Sequence, residues 1–244
     1  MKKSYLILPI LVLAYSGLAL GSDRFQAEFG LLENSYNQVQ IPGDDGTRFN
    51  MRKSLSDNSP FFRLDFKKSL DSNHGFRLLY APLRLKGDRT YGKDIVFNGE
   101  AFNQNQKTDT LYQFNSYRAS YFYQWVKKED WIVNVGVTGK IRDAKIELKQ
   151  GSKQKKRNDL GFVPLLYLWS EYWLTQDTKL TLDFDGLAAP QGRAFDVALM
   201  VGHRLSPSVI ANLGYRMLEG GVDNDKVYNF SQFNFYFAAV EVLF

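Results

Sequence analysis

The chain of 244 residues contains no cysteine, which excludes a disulfide framework and a thiolate metal site. Its 31 basic and 26 acidic residues give a net charge of +5, which is too balanced to indicate a nucleic-acid-binding surface. After residue 20, no stretch approaches the roughly 20 apolar residues of a transmembrane helix. A membrane-spanning protein of this composition would therefore have to be a closed β-barrel.

The N-terminal segment has the pattern of a secretory signal. Lys2 and Lys3 precede an apolar run over residues 5–20, which ends in small residues up to Gly21. A charged segment, an apolar core and a small-residue cleavage site are typical of a signal peptide. A transmembrane anchor is disfavoured because the run is short and contains Pro9. We predict a signal peptide over residues 1–21 and one domain over residues 22–244.

Clusters of turn residues divide the remaining chain into strands. Short clusters lie at 71–74, 127–130, 176–178 and 206–208, and longer ones at 42–46, 103–108, 151–158, 188–192 and 219–226. They predict ten strands, at 24–41, 47–69, 75–103, 109–126, 131–149, 160–175, 179–187, 193–204, 209–219 and 229–244. Interruptions at 54–60 and 87–94 leave eight or twelve strands as alternatives. Short turns at one end and longer loops at the other indicate an outer-membrane barrel.

Side chains alternate between apolar and polar along these strands. Leu180, Leu182 and Phe184 alternate with Thr181, Asp183 and Asp185. In lipid, this pattern places apolar residues outside and polar residues inside a barrel. The last strand carries Tyr236, Val240, Val242 and Phe244 on one face. Trp125, Trp131, Trp169 and Trp173 lie near the short turns, which predicts an aromatic girdle at one membrane interface. The alternative is a soluble β-sandwich with core tryptophans.

The signal peptide, the asymmetry of turns and loops, the alternating strands and the aromatic last strand resemble Gram-negative outer-membrane β-barrel proteins. The resemblance implies an all-β, antiparallel, up-and-down transmembrane β-barrel in the outer membrane. It also implies that Tyr236, Val240, Val242 and Phe244 form a signal for the barrel-assembly machinery, and that outer-membrane lipid and lipopolysaccharide surround the protein. We expect a monomer without a cofactor.

Inward-facing charges are predicted to form two walls of opposite sign. The basic wall contains Arg63, Lys67, Arg77, Arg118, Lys140 and Arg142, and the acidic wall contains Glu171, Asp183, Asp185 and Asp196. One interpretation is that salt bridges join the walls and fill the barrel, since charges in a lumen need partners. The other is a narrow pore for ions or small solutes, with charge segregation resembling the constriction of general porins.

Hairpin registers predict one charged cluster. If the turn near Pro190 is centred between residues 190 and 191, Asp185 lies opposite Asp196, which is unfavourable without a cation. If the next turn is centred near Ser206, Arg216 also lies opposite Asp196. We therefore expect Asp185, Asp196 and Arg216 together. Ca²⁺ is an alternative neutralising cation.

Two further functions are weighed on the sequence. Lys149, Lys153, Lys155, Lys156 and Arg157 lie in one predicted loop, either as a contact for lipopolysaccharide phosphates or as a solvated hairpin tip. Outer-membrane proteases of the omptin family also resemble a ten-stranded barrel, with Asp residues and an Asp-His pair at the outer rim. His74 and His203 instead lie near predicted short turns, far from the acidic residues, which also argues against a lipid A hydrolase. We expect no enzyme.

Overall fold

The computed structural model describes residues 23–244, so the predicted signal peptide lies outside the described residues. The strands are β1 (Arg24–Gln40), β2 (Phe49–Asn50), β3 (Ser59–Ser69), β4 (His74–Ala81), β5 (Arg84–Thr90), β6 (Ile95–Phe97), β7 (Glu100–Phe102), β8 (Lys107–Lys127), β9 (Trp131–Gln150), β10 (Lys153–Trp173), β11 (Thr178–Ala189), β12 (Gly192–Ser206), β13 (Val209–Asn224) and β14 (Val227–Leu243). A 3-10 helix, η1, covers Arg52–Ser54. Among these residues, no helix has the length and hydrophobicity needed to cross a membrane.

Antiparallel pairing closes the strands into a barrel. Each long strand pairs with its neighbours in chain order, and β14 returns to pair with β1 from Arg24↔Leu243 to Gln40↔Tyr228. Strands β4 and β5 both pair with β8 and together form one strand of the barrel wall. This strand is interrupted at Pro82, because proline lacks the amide proton that a β-ladder needs. With β4 and β5 counted as one, the barrel wall has ten strands, which confirms the predicted fold and strand number.

The two ends of the barrel differ. The end that carries the four short connections 70–73, 128–130, 174–177 and 207–208 is called the turn end, and the opposite end is called the loop end. At the turn end, backbone N–H groups of Asn73 and His74 donate to the Asp71 carboxylate at 2.8 Å, which lowers the pKa of Asp71 below its ordinary value. These four turns agree with the prediction.

At the loop end, three connections are shorter than predicted. The segments 151–158, 188–192 and 219–226 were expected to be long loops, but the strands continue through them to two-residue turns at 151–152, 190–191 and 225–226. Gly151 has φ +58°, a conformation that favours glycine and allows the first of these tight turns. The polar composition of these three segments favours loops, but the backbone hydrogen bonds between strands continue beyond the apolar belt, the part of the barrel whose outer face is apolar.

The other two loop-end connections fold inward and cover the barrel mouth. We call residues 41–58 and 91–106 the plug. Strands β6 and β7 form a hairpin within it, and Asn98 and Gly99, both with positive φ, make its turn as a type I′ connection requires. Phe97 is fully buried, and the Phe49 ring lies edge-on to it at 6.3 Å. Burial raises the pKa of Tyr91, which packs on Phe49.

The barrel wall has uneven height around its circumference. Strand β10 pairs with β11 only from Leu166↔Gly186 to Trp173↔Lys179. Above that point β10 runs on to Lys153 beside β9, whereas β11 ends at Ala189. One edge of β10 is therefore unpaired over residues 153–165. We call the resulting gap between β10 and the β11–β12 hairpin the notch.

Candidate functional site

The strands present an apolar face outward and a polar face inward. On β10, the outward residues Leu160, Phe162 and Leu166 are 76%, 67% and 56% exposed, whereas Tyr167 and Trp169 point inward and are buried. On the last strand, the outward set includes the predicted assembly-signal residues Tyr236, Val240, Val242 and Phe244. An exposed apolar exterior around a charged interior is the reverse of a soluble barrel and suits lipid.

Arg77 lies at the centre of the lumen and contacts three carboxylates. Its Nε donates to Asp65 Oδ2 at 2.6 Å, and its terminal nitrogens lie 3.0 Å from Asp183 Oδ2 and 3.1 Å from Asp185 Oδ2. All four side chains are almost fully buried. Because Arg77 and Asp65 come from β4 and β3, and the other two carboxylates from β11, this contact set crosses the lumen.

Asp196 on β12 is a second residue at which several ion pairs meet. Arg118 Nη2 lies 2.5 Å from Asp196 Oδ2, and Arg118 Nη1 lies 2.7 Å from Asp185 Oδ2. Arg63 Nη1 reaches the same Asp196 oxygen at 3.1 Å. The two aspartates lie directly opposite each other across the β11–β12 hairpin, as predicted from the turn at residues 190–191. Arginines therefore compensate the repulsion of this like-charged pair.

Arg216 links the remaining carboxylates. Its guanidinium lies 2.6 Å from Asp196 Oδ1, 2.7 Å from Glu28 Oε1 and 3.1 Å from Asp183 Oδ2. We call the connected set the central network: Arg63, Arg77, Arg118, Arg216, Glu28, Asp65, Asp183, Asp185 and Asp196. The structure thus joins the two predicted walls across the barrel. Glu28 was missed, although its position on the inward face of β1 was available from the alternation.

One predicted register needs correction. Arg216 was expected directly opposite Asp196, but Asp196 pairs with Leu218, and Arg216 pairs with Ala198. The turn lies at residues 207–208 rather than at Ser206, which moves the partner of Asp196 by three residues, and an irregularity between Arg204 and Ser206 reverses one residue of that offset. The long arginine side chain still reaches Asp196 across this offset.

A second ionic group, the lower cluster, lies nearer the turn end. Glu171 Oε2 accepts from Arg24 at 2.6 Å and from Lys179 at 2.8 Å, and Lys179 also donates to Glu241 at 2.7 Å. Of these residues only Glu171 was placed in a predicted wall. Arg24 and Glu241 lie on the paired first and last strands, so the lower cluster also ties the barrel seam together.

Two of the four tryptophans contradict the predicted girdle. Trp125 and Trp131 are exposed on the outer surface, but Trp169 is buried in the lumen, and Trp173 points inward and donates to Glu171 Oε1 at 3.0 Å. Residues 169, 171 and 173 share one face of β10, so a buried Glu171 places both tryptophans inside. The Lys67 ammonium of the predicted basic wall lies over the Trp169 ring.

The last two members of the predicted basic wall lie above the central network. Arg142 pairs with Asp159 towards the loop end. Lys140 is 2% exposed and lies opposite Arg118, with its ammonium 4.6 Å from the Phe114 ring centre. Among the described residues, no carboxylate lies within ion-pair distance of Lys140.

The predicted basic loop is a paired hairpin, and its cations divide between two faces. Lys149 and Lys156 are exposed on the outer face. Lys153, Lys155 and Arg157 share the inner face, where Lys153 Nζ donates to the Ala101 carbonyl of the plug at 2.8 Å and Lys155 lies 3.9 Å from Glu100. The interpretation as one basic loop is therefore wrong, because strand alternation separates neighbouring cations.

Both histidines lie at the turn end. His74 contacts Tyr121 at 2.5 Å, and His203 contacts Thr178 at 3.3 Å. Neither contacts an acidic side chain of the central network. Within residues 23–244, no cluster of histidine and acidic side chains has the arrangement of a metal site.

An apolar exterior, a charged interior and a ladder closed on itself together define a class, the outer-membrane β-barrel protein. No protein-family model matches the chain, and no curated protein matches it. Solved structures that are similar to it are outer-membrane barrels.

Three of these structures illustrate the likeness. The attachment invasion locus protein Ail of Yersinia pestis is 10% identical, with a TM-score of 0.39 and coverage of 93% of this chain and 100% of that one. The translocator domain of the autotransporter NalP from Neisseria meningitidis is 11% identical, with a TM-score of 0.44 and coverage of 95% and 91%. The toluene transporter TodX of Pseudomonas putida is 9% identical, with a TM-score of 0.38 and coverage of 93% and 91%.

Proposed function

We propose that the protein is a closed envelope barrel of the outer membrane, which does not conduct ions or solutes and is not an enzyme. The observation that carries this proposal is the central network. Four buried arginines and five carboxylates meet across the lumen at distances of 2.5–3.5 Å, so a solute would have to break several ion pairs in order to pass. Buried charges that lose one partner are strongly destabilised.

The plug supports the same proposal at the loop end. Its apolar side chains pack in the mouth above the network, with Phe97 and Phe102 almost fully buried. The Thr47 amide donates to the Val96 carbonyl at 2.9 Å, and the Asn98 amide donates to the Ile41 carbonyl at 2.8 Å, so the two plug segments hold each other. A solute from the loop end would meet this barrier first.

Single-channel recording in planar bilayers tests the proposal. We expect the refolded wild-type protein to show no steady openings, and Asp185→Asn/Asp196→Asn and Arg118→Gln to unfold at lower temperature in heat-dependent electrophoresis. Charge removal then acts on stability because each variant leaves buried partners unpaired. Steady wild-type conductance, with ion selectivity that moves in opposite directions in the two variants, would instead establish the narrow charged pore.

A second candidate function is contact with lipopolysaccharide at the outer surface. Lys149 and Lys156 lie on the outer face of the β9–β10 hairpin, above the exposed apolar Leu160. Cations at this height suit the phosphates of an outer leaflet. Weaker retention of lipopolysaccharide during purification of Lys149→Gln/Lys156→Gln than of the matched inner-face variant Lys153→Gln/Lys155→Gln would support it, and equal retention would refute it.

A further inference from the structure

A cavity lies inside the barrel beside the notch, above the central network. Its volume is about 320 Å³, at the lower end of the range for small-molecule sites. Phe114 and Phe233 line its inner side, and Phe162, Pro164 and Leu187 line the side of the notch. Because β10 and β11 stop pairing below Phe162, the cavity lies where the wall between these strands is open.

The notch begins within the apolar belt. Phe162 and Leu160 flank it on β10 and are strongly exposed on the outer surface, whereas the outward residues turn polar from Asn158 onward. An unpaired strand edge at this height is costly in lipid unless it borders protein or a cavity. Pro164, just above the last β10–β11 pair, has no amide proton that such an edge would leave unpaired. The opening therefore faces the hydrocarbon of the outer leaflet.

Lys140 is the most deeply buried charged group of the cavity lining, which also contains Arg142 and the Arg193–Glu219 ion pair. Its side chain is 2% exposed, lines the cavity and has no carboxylate partner among the described residues. Apart from the lower cluster, in which two cations face two carboxylates, the buried lumen holds six cations, the four network arginines with Lys67 and Lys140, against five carboxylates. A single anionic group placed near Lys140 would balance this excess, and it would give the ammonium the partner that buried charges need.

We propose that the cavity binds a single-chain amphiphile with an anionic head, such as a fatty acid, which enters sideways through the notch. The carboxylate pairs with Lys140, and the alkyl chain lies against Phe114, Phe162 and Leu187 towards the outer leaflet. The cavity volume accommodates one short chain rather than a two-chain lipid. This binding does not depend on whether the central network below it conducts.

Cysteine labelling tests the proposal, because the chain contains no native cysteine. Ala189 lines the cavity, and its neighbour Ala188 lies on the opposite face of β11, which provides a matched control. Ala189→Cys and Ala188→Cys are placed in phosphatidylcholine vesicles and labelled with N-ethylmaleimide, with and without laurate or dodecan-1-ol. We expect laurate to slow labelling at position 189 and not at position 188, and dodecan-1-ol to act about tenfold more weakly because it lacks a charge-assisted contact.

Lys140→Met in the Ala189→Cys background separates the charge from the apolar pocket. Laurate should then protect no better than dodecan-1-ol, whereas Lys128→Met in the exposed turn 128–130 should leave the difference intact. Equal protection at both cysteines, or an undiminished laurate preference in Lys140→Met, would overturn the proposal. Protection by phosphatidylglycerol vesicles without laurate would also overturn it, because a bilayer lipid would then be the occupant. Heat-dependent electrophoretic mobility verifies that each variant is folded.

Discussion

Arg77 shows how a residue with a large desolvation cost is kept in this barrel. Its guanidinium is completely buried, and Asp65, Asp183 and Asp185 surround it. Replacing an entire buried ionic group by apolar residues is often tolerated, but removal of one partner leaves the others uncompensated. The effect of a substitution in the central network on stability therefore depends on how many buried charges it leaves without a partner.

We expect Arg77→Met to lower the free energy of unfolding by about 3–5 kcal/mol, because three carboxylates lose a shared partner. The control is Lys68→Met, which breaks the Lys68–Asp23 pair at the turn end, where the lysine side chain is 47% exposed. That loss should be below about 1 kcal/mol, since exposed ion pairs contribute little. Urea titration in micelles measures both values, and equal losses would contradict the argument.

In the plug hairpin, the contribution of a side chain to stability depends on the face of the strand on which it lies. Phe97 on β6 is fully buried, and the adjacent Val96 is 39% exposed on the other face. Burial of a phenylalanine side chain contributes roughly 1.5–3 kcal/mol, which is large for a hairpin with three residues in each strand. The hairpin is therefore held mainly by its inward face.

We expect Phe97→Asp to release the plug while the barrel stays folded. Protease added from outside should then cleave within residues 91–106, whereas Val96→Asp should remain protected, because its charge stays in water. Heat-dependent mobility should be unchanged in both variants. Cleavage that is equally fast in both would mean that Phe97 does not hold the plug.

The alternation of apolar and polar residues predicted the barrel strands well, because lipid outside and charge inside impose a period of two. It did not predict the plug, although Asn98-Gly99 between apolar residues is a strong signal for a hairpin. The predicted strands 47–69 and 75–103 include the apolar residues of the plug, because a period-two pattern does not distinguish a barrel strand from a short hairpin packed on the barrel mouth. The partners in the central network depend on register, which the position of the turn at residues 207–208 and a bulge near Arg204 together determine.

At the scale of the whole molecule, the plug and the central network are two barriers in series. Each occupies a different height of the same lumen, and they share no ion pair among the described residues. Opening one should leave the other in place. The closed state proposed above is therefore protected against the loss of either barrier alone.

We expect that removal of either barrier alone does not open the barrel. Replacement of residues 92–104 by a short Gly-Ser link, or Arg118→Ser/Asp196→Ser, should each give silent bilayers. Their combination should give steady conductance if the barrel stays folded, which heat-dependent mobility would verify. Conductance in the plug deletion alone would show that the central network does not seal the lumen.

The seam between β1 and β14 has a consequence for the time course of folding. Arg24 pairs with Leu243, so the ladder that seals the barrel joins residues from opposite ends of the described chain. Contacts of such long sequence separation form slowly, because chain entropy must be lost before they add stability. Until the last strand arrives, β1 and β13 each present an unpaired edge that another chain could join. The open barrel that precedes closure is thus the state in which another chain could pair with these edges, and the docking of β14 on β1 ends that exposure.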